Sequence, residues 1–280
     1  MNKLKILSNF AKVLFVSLFF LTYSCTLNCC TKPFNDYTTF SIRQQLPRES
    51  FVKIEKTTNI QICETNVKKL TQCDIKRVGS SASGFIIKND EEGSYVVTAA
   101  HVCDDTELKA FMHKSKDAEI IEKKFELLDI DKIRYNFIAL KYDRDIDVCV
   151  GYSYSMAKPP VILANAAPAA GDVTYNLAAP IGIFDENSIP ILHGNFIGVS
   201  KGRALYTVPA AGGSSGSPLL NSDGELIGLI HSVYVRFPFI SISPTYKQLI
   251  NFINTNSNKE LFMIENPHTW HLYSYIGIIH

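Results

Sequence analysis

The chain has 280 residues, of which 46% are hydrophobic and 20% are charged, enough apolar material for one large domain or two small barrels that share a cleft. Lysine and arginine number 28 against 27 for aspartate and glutamate. This balance, together with the lack of a long basic run, argues against a nucleic-acid-binding protein.

The N-terminus has the pattern of a targeting segment. Lys3 and Lys5 form a basic start, and the apolar stretch from Val13 to Leu21 follows. Its nine residues suit the apolar region of a secretory signal and fall short of the roughly 20 that a membrane span needs. We interpret residues 1–24 as a signal peptide or membrane-targeting segment, and we expect an exported protein that is periplasmic, extracellular or membrane-anchored.

A cysteine directly follows this segment. Cys25 comes after the small residue Ser24, in a context that resembles a bacterial lipoprotein cleavage site. The alternatives are lipidation of Cys25, a plain signal peptide and an uncleaved anchor, and the first and the last of these would attach the chain to a membrane.

The rest of the chain divides into a polar stretch and a β-rich region. Residues 25–74 are predicted to be a linker and N-terminal extension. From residue 75 to 255, short apolar runs alternate with turn signals such as Lys201-Gly202 and Asp223-Gly224. Many short strands with such punctuation indicate an all-β barrel or sandwich. Residues 107–123 are ambiguous between a connecting helix and an insert.

The β-rich region ends in a predicted helix. Apolar residues at Tyr246, Leu249, Ile250 and Ile253 follow Pro244 with a helical period. The tail of residues 256–280 is interpreted as an aromatic segment docked on the barrel rather than as a site. Its most conspicuous side chains are His268, Trp270 and His271.

A histidine lies at the end of an apolar, β-branched run. Residues 95–102 are typical of a buried strand that delivers His101 at its end. In isolation such a histidine is more often a hydrogen-bonded structural residue. Further on, an acidic turn with Asp145 and Asp147 enters another apolar strand, where a carboxylate can be buried against an imidazole.

The run from Gly212 to Leu219 contains a glycine-flanked serine, Ser215. Glycines permit a tight turn that aims backbone N–H groups at one point. The N–H groups of Gly213 and Ser215 would then form an oxyanion hole, and Ser215 would be the nucleophile. Surface loops have a similar composition, but the histidine and the acidic turn upstream favour a catalytic site in the order His, Asp, Ser.

These motifs in this order resemble the trypsin-like (chymotrypsin-fold) serine peptidases, most closely their bacterial HtrA-type branch. Thr98-Ala99-Ala100-His101 is similar to the histidine motif, and residues 213–218 are similar to the serine motif. Residues 79–87, 171–182 and 221–229 resemble the strand before the histidine, the strand and turn before the serine, and the hairpin after it.

The resemblance covers about residues 75–255, which would form the peptidase domain. It implies an all-β fold of two six-stranded antiparallel β-barrels with a C-terminal helix, and it implies no cofactor and no metal. The tail after residue 255 is too short for the peptide-binding module that many HtrA-type proteins append.

The resemblance also implies the role of each site residue. Ser215 attacks the scissile carbonyl, His101 takes and returns the proton, and an aspartate holds the imidazole tautomer. Asp147 is preferred as this aspartate, because the turn before it lies at the usual distance. Asp145 is the alternative, since Asp145-Ile146 suits the Asp-Ile start common in the family.

Two positions bear on substrate preference. Pro209 stands six residues before Ser215, where relatives that cut after basic residues carry an acid, so a preference for Lys or Arg is not predicted. His231 falls on the strand that lines the primary substrate pocket in the family. It would bind a substrate glutamate or glutamine, and the alternative is a histidine bonded to the barrel backbone.

An exported chain can oxidise its cysteines. Relatives carry a cysteine near Cys103 that is bridged to the preceding strand, so Cys63 or Cys73 could be its partner. Alternatively, Cys63 and Cys73 could bridge each other, and the sequence does not fix the connectivity. Cys149 lies inside an apolar strand and is predicted to be a small buried hydrophobe. The spacings do not predict a zinc site.

Two functions follow. The leading one is a serine endopeptidase that hydrolyses protein or peptide substrates through an acyl-enzyme. The alternative is a catalytically inactive trypsin-fold binding protein at the cell surface. The enzyme is favoured because an inactive copy has no reason to keep the glycines around Ser215.

Overall fold

The computed structural model describes residues 46–65, 71–106, 112, 118–185, 188–234 and 236–257. Within them, the strands form two antiparallel sheets of seven strands each. The chain is therefore all-β, as predicted, although each sheet has one strand more than the expected six.

The first sheet has the strand order β5-β4-β1-β2-β3-β7-β6. Its strands are β1 (Phe51–Thr65), β2 (Thr71–Asn89), β3 (Gly93–Thr98), β4 (Ala118–Leu128), β5 (Arg134–Asn136), β6 (Ile138–Asp143) and β7 (Val148–Tyr154). The short 3-10 helix η1 (Arg48–Ser50) precedes β1, and the one-turn helix α1 (Ala100–Cys103) follows β3.

The second sheet has the order β12-β11-β8-β9-β10-β14-β13. Its strands are β8 (Val173–Leu177), β9 (Ile191–Ser200), β10 (Arg203–Tyr206), β11 (Pro218–Leu220), β12 (Leu226–Leu229), β13 (Ser232–Tyr234) and β14 (Phe237–Pro244). The 3-10 helix η2 (Pro180–Gly182) follows β8, and the helix α2 (Tyr246–Asn256) follows β14.

Each sheet curls around its own hydrophobic core. Every residue of β3 is buried, because this central strand pairs with β2 on one side and with β7 on the other. Val96 packs there with Ile54 and Leu127. In the second core, Tyr206 packs with Leu219 and Ile227. Burying each such side chain stabilises the fold by about 1.5–3 kcal/mol.

The first sheet begins earlier than the sequence predicts. Residues from Phe51 onward belong to β1, and Phe51, Val52 and Ile54 are fully buried. The prediction of a linker and extension up to residue 74 is therefore wrong from Phe51 onward. Lys53, Glu55 and other polar residues alternate with the apolar ones, as expected of a strand with one solvated face, and this gives the segment its mixed composition.

Beyond the core, β1 and β2 continue as a long hairpin. A disulfide joins Cys63 and Cys73, which are directly opposite each other in the register of the two strands. The Cys63–Cys73 bridge is one of the three pairings that the sequence left open. The bridge closes the outer part of the hairpin, where residues 71–80 of β2 are exposed.

The predicted C-terminal helix is present as α2. Thr245 caps it: its side chain accepts from the N–H of Gln248, while the Gln248 side chain accepts from the N–H of Thr245. This reciprocal pair is a capping box, which satisfies two backbone donors at the start of the helix. Leu249, Phe252 and Ile253 form the buried face of the helix.

Several predictions fall on residues outside the described ones. These are the targeting segment 1–24, Cys25, most of residues 107–123, and the tail residues His268, Trp270 and His271. Among the helices of the described residues, none has the length and apolarity of a membrane span.

Candidate active site

His101 is delivered by the end of β3. Thr98 is the last residue of the strand, and its hydroxyl donates to the carbonyl oxygen of Ser83 at 2.8 Å. Ala99 and Ala100 are buried, because only small side chains fit where the strand turns into α1. The His101 side chain is 41% exposed, so its ring faces the solvent side of the site.

Asp147 holds the His101 ring from the turn between β6 and β7. Its Oδ2 lies 2.9 Å from Nδ1 of His101, and its Oδ1 accepts from the His101 backbone N–H at 3.0 Å. A carboxylate only accepts, so the proton of the neutral ring lies on Nδ1 and Nε2 is left as the base. Asp145 is exposed, and its backbone N–H donates to Asp143. The structure therefore brings Asp147, not Asp145, to the histidine.

The hydrogen bonds decide the charge of Asp147. Burial is the largest influence and raises the pKa of this carboxyl, but the bonds from His101 and the charges nearby lower it by more in total. The carboxyl pKa therefore lies below its ordinary range, and the group is a carboxylate at neutral pH.

A disulfide joins the elements that carry these two residues. Cys103 of α1 is bonded to Cys149 of β7, and each cysteine stands two residues after its functional neighbour in the chain. The prediction that Cys149 is a simple buried hydrophobe is wrong, and the partner of Cys103 is neither Cys63 nor Cys73. The apolar run around Cys149 reflects its burial, and the pairing depends on the contact between β3 and β7, which the local sequence does not encode.

The loop around Ser215 requires its glycines. Gly213 has φ +96° and Gly216 has φ +84°. A Cβ atom on Gly213 would lie 2.3 Å from the carbonyl oxygen of Ala179, and one on Gly216 would lie 2.2 Å from the hydroxyl of Thr98. Any other residue would clash or strain the backbone at both positions.

Ser83 clamps this loop to the first sheet. Its backbone N–H donates to the Ser215 carbonyl at 2.8 Å, and its hydroxyl donates to the Gly213 carbonyl at 2.7 Å and accepts from the Ala179 N–H at 3.0 Å. Ser83 thus binds the carbonyl groups of Gly213 and Ser215. The N–H groups of the same two residues donate to no acceptor within the described part of the chain. Ser83 is not predictable as a site residue, because its only sequence signal is its place in a run of small residues.

His101 and Ser215 line one cleft. For the residues the structure describes, no hydrogen bond joins the Ser215 hydroxyl to the His101 ring; such bonds are often long without substrate. Lys56 also lines the cleft, and its ammonium donates to Asp105 at 2.7 Å. The remaining lining residues are Ile54, Ser80, Ser81, Ala82 and Val102.

His231 lies on the other side of Asp147. Its side chain is 8% exposed, and its Nδ1 is 3.5 Å from Oδ2 of Asp147. Its Nε2 is 3.4 Å from Nη1 of Arg203. Burial lowers the pKa of His231 to about 4, with the Asp147 charge acting in the opposite direction. The contact with Arg203 has no signal in the local sequence.

Within the described ranges, no group of three or more His, Cys, Asp or Glu side chains is placed to hold a metal ion. His101 and Ser215 line the cleft, and Asp147 contacts the His101 ring. Residues of these three types can carry out acyl transfer.

The sequence and the fold were compared with protein families, curated sequences and solved structures. The family model of the trypsin-like peptidase domain matches residues 82–229. No curated protein sequence matches the chain. Among solved structures, the active form of the Rv3671c protease from M. tuberculosis is similar, with TM-score 0.55, 15% identity, and coverage of 79% of this chain and 86% of that chain.

Two further solved structures are similar. An inactive mutant form of Rv3671c has TM-score 0.54 and 14% identity, and the match covers 81% of this chain and 95% of that chain. The serine endoprotease from Yersinia pestis has TM-score 0.53 and 15% identity, and the match covers 77% of this chain and 65% of that chain. At these identities the structures establish a shared fold.

Proposed function

We propose that Ser215, His101 and Asp147 form the catalytic triad of this chain. The chain belongs to the trypsin-like peptidase family, and the triad would perform its serine-type peptidase activity. The observation that carries the proposal is the 2.9 Å contact between Nδ1 of His101 and Oδ2 of Asp147, in a cleft that His101 shares with Ser215. Asp147 fixes the ring tautomer, so Nε2 is the base available to the serine hydroxyl.

The reaction follows from these positions. The Ser215 oxygen attacks the carbonyl carbon of the scissile peptide bond while its proton moves to Nε2 of His101. The imidazolium then gives this proton to the leaving amine as the C–N bond breaks, which leaves an acyl-enzyme. A water molecule, with His101 again as base, releases the acid and restores the serine.

The oxyanion of the tetrahedral intermediate would be bound by the N–H groups of Gly213 and Ser215. Two features support this role: the turn glycines that the loop requires, and the free state of both N–H groups among the described residues. Donors that are already oriented when charge develops stabilise the transition state strongly, and removing one costs about 2.7–4 kcal/mol in well-studied enzymes.

The substrate is a protein or peptide. A preference for glutamate or glutamine through His231 stays a prediction, which competes with the contacts that both of its ring nitrogens make within the protein. Cleavage rates on peptides that vary the residue before the scissile bond test it. Export, and attachment to a membrane through the N-terminal segment or a lipidated Cys25, also stay proposals, which rest on residues 1–25 of the sequence.

The two aspartates of the β6–β7 turn provide a matched test of the triad. We expect Asp147→Asn to lower the rate of hydrolysis of fluorescently labelled denatured casein by about 10⁴-fold, because the amide no longer holds the tautomer with Nδ1 protonated. Asp147 has φ +54°, a conformation that asparagine also tolerates. Asp145→Asn should retain the wild-type rate. Equal rates for the two variants, or loss only in Asp145→Asn, would contradict the proposed triad.

A further inference from the structure

Four side chains form a continuous polar row that begins behind the proposed triad. Arg203 of β10 approaches His231, His231 approaches Asp147, and Asp147 binds His101. The successive distances are 3.4 Å (Nη1 to Nε2), 3.5 Å (Nδ1 to Oδ2) and 2.9 Å (Oδ2 to Nδ1). The first two contacts are long for hydrogen bonds, and the third is of ordinary length. Asp147 therefore lies between two imidazoles.

The chemistry of the row fixes the tautomer of His231. A guanidinium has only donors, so an N–H on Nε2 would face the N–H groups of Arg203. A carboxylate has only acceptors at neutral pH, so a lone pair on Nδ1 would face the oxygen of Asp147. Both contacts are favourable only when Nε2 carries the lone pair and Nδ1 carries the proton.

Burial keeps this ring neutral. The charged and titratable groups that act on His231 are Asp147, Arg203 and His101. Asp147 favours the imidazolium, but burial and the two basic neighbours oppose it, so the pKa of His231 falls to about 4. A neutral His231 ring can donate an N–H to Asp147. Because this ring carries no positive charge, it does not compete with the His101 imidazolium for the negative charge of Asp147.

We propose that His231, with its tautomer set by Arg203, is a positioning residue that donates Nδ1–H to Oδ2 of Asp147 and so orients the carboxylate toward His101. This inference rests on the proposed triad. It gives both ring nitrogens of His231 a partner within the protein, and it assigns Arg203 a role although that residue contacts neither His101 nor Ser215 in the described contacts.

The direct test is the tautomer of His231. In ¹⁵N NMR spectra of the purified protein labelled at histidine, the resonances of His231 are identified by their loss in His231→Asn. We expect a neutral ring protonated at Nδ1 at pH 7. A ring protonated at Nε2, or a ring charged at pH 7, would overturn the proposal. The tautomer is read from the wild-type spectrum, and His231→Ala provides a second variant for the assignment.

The kinetic test uses inactivation by a fluorophosphonate probe, with the maximal rate constant and the apparent affinity measured separately. His231→Ala should lower the maximal rate constant by about tenfold or more, since a hydrogen bond to a charged group is lost. Affinity should be nearly unchanged. His231→Asn, whose amide can still donate to Asp147, should recover part of the rate.

The outcomes separate this inference from the proposed function. A wild-type protein that does not react with the probe overturns the triad and this inference with it. A reactive wild type with the same maximal rate in His231→Ala, a change confined to affinity, or no recovery in His231→Asn overturns the positioning role alone.

Discussion

At the residue scale, the two imidazoles beside Asp147 differ in their exposure to water. The side chain of His101 is 41% exposed and that of His231 is 8% exposed. Desolvation disfavours a charged ring, so the buried histidine stays neutral at physiological pH. The Asp147 carboxylate can therefore stabilise the imidazolium that the proposed mechanism generates at His101.

The buried histidine predicts a pH dependence of stability. The pKa of His231 falls from 6.5 to about 4 on folding, so the unfolded chain binds a proton between these values that the folded chain does not. The free energy of unfolding is therefore highest above pH 6.5, and it decreases by up to about 3 kcal/mol as the pH falls toward 4. The lowered carboxyl pKa of Asp147 acts in the same direction, but only below about 3.8.

Urea unfolding at pH 7, 5.5 and 4.5 measures this effect. The free energy of unfolding of the wild type should fall more steeply over this range than that of His231→Asn, whatever the difference between the two at pH 7. If the free energies of unfolding of the wild type and His231→Asn fell in parallel with pH, the fold would not be holding His231 neutral.

At the element scale, the site depends on the contact between α1 and β7. Neither element holds its functional residue by itself, because α1 is a single turn and Asp147 lies in a turn with an uncommon backbone conformation. The Cys103–Cys149 disulfide joins them across 46 positions of sequence. It restricts the unfolded chain and fixes the distance between His101 and Asp147.

The disulfides therefore differ in their expected effects. Cys103→Ala with Cys149→Ala should lower the free energy of unfolding by about 2–5 kcal/mol, and it should reduce peptidase activity at temperatures where the protein is still folded. Cys63→Ala with Cys73→Ala removes a bridge from the outer part of the β1–β2 hairpin and is the matched control. It should leave activity unchanged. Thermal unfolding and casein hydrolysis measure the two effects, and equal activity in both double variants would contradict a positioning role for Cys103–Cys149.

In the molecule as a whole, the cleft is lined by residues of β1, β2 and α1 together with Ser215, which lies in the loop before β11 of the second sheet. β2 of the first sheet supplies Ser83, which binds the backbone on both sides of Ser214 in the loop before β11. His101 and Asp147 come from the first sheet, and the Ser215 loop leads into the second. The residues of the site therefore converge only when both sheets have formed.

This arrangement explains how much the sequence predicts. The surroundings of His101 and Ser215 are predictable, because a buried strand and a glycine-rich turn are local patterns. The preference for Asp147 over Asp145 agrees with the observed contact. The start of β1 is missed, because Lys53 and Glu55 on its solvated face resemble a linker.

Contacts between distant segments are not predictable from one sequence. The Cys103–Cys149 pair and the contacts of His231 with Arg203 and Asp147 depend on how strands pack against each other. The local amino-acid composition does not determine which distant strands pack together. His231 lies between β12 and β13 rather than on a strand, and its neighbours Arg203 and Asp147 come from two other parts of the chain.

Active-site labelling is the measurement that decides whether Ser215 is an activated nucleophile. The purified wild-type protein should react with a fluorophosphonate probe, whereas Ser215→Ala should not react and His101→Ala should react far more slowly, because the serine needs the base. Circular dichroism would establish that each variant is folded. A folded wild type that does not react, or labelling that persists in Ser215→Ala, would show that Ser215 is not an activated nucleophile.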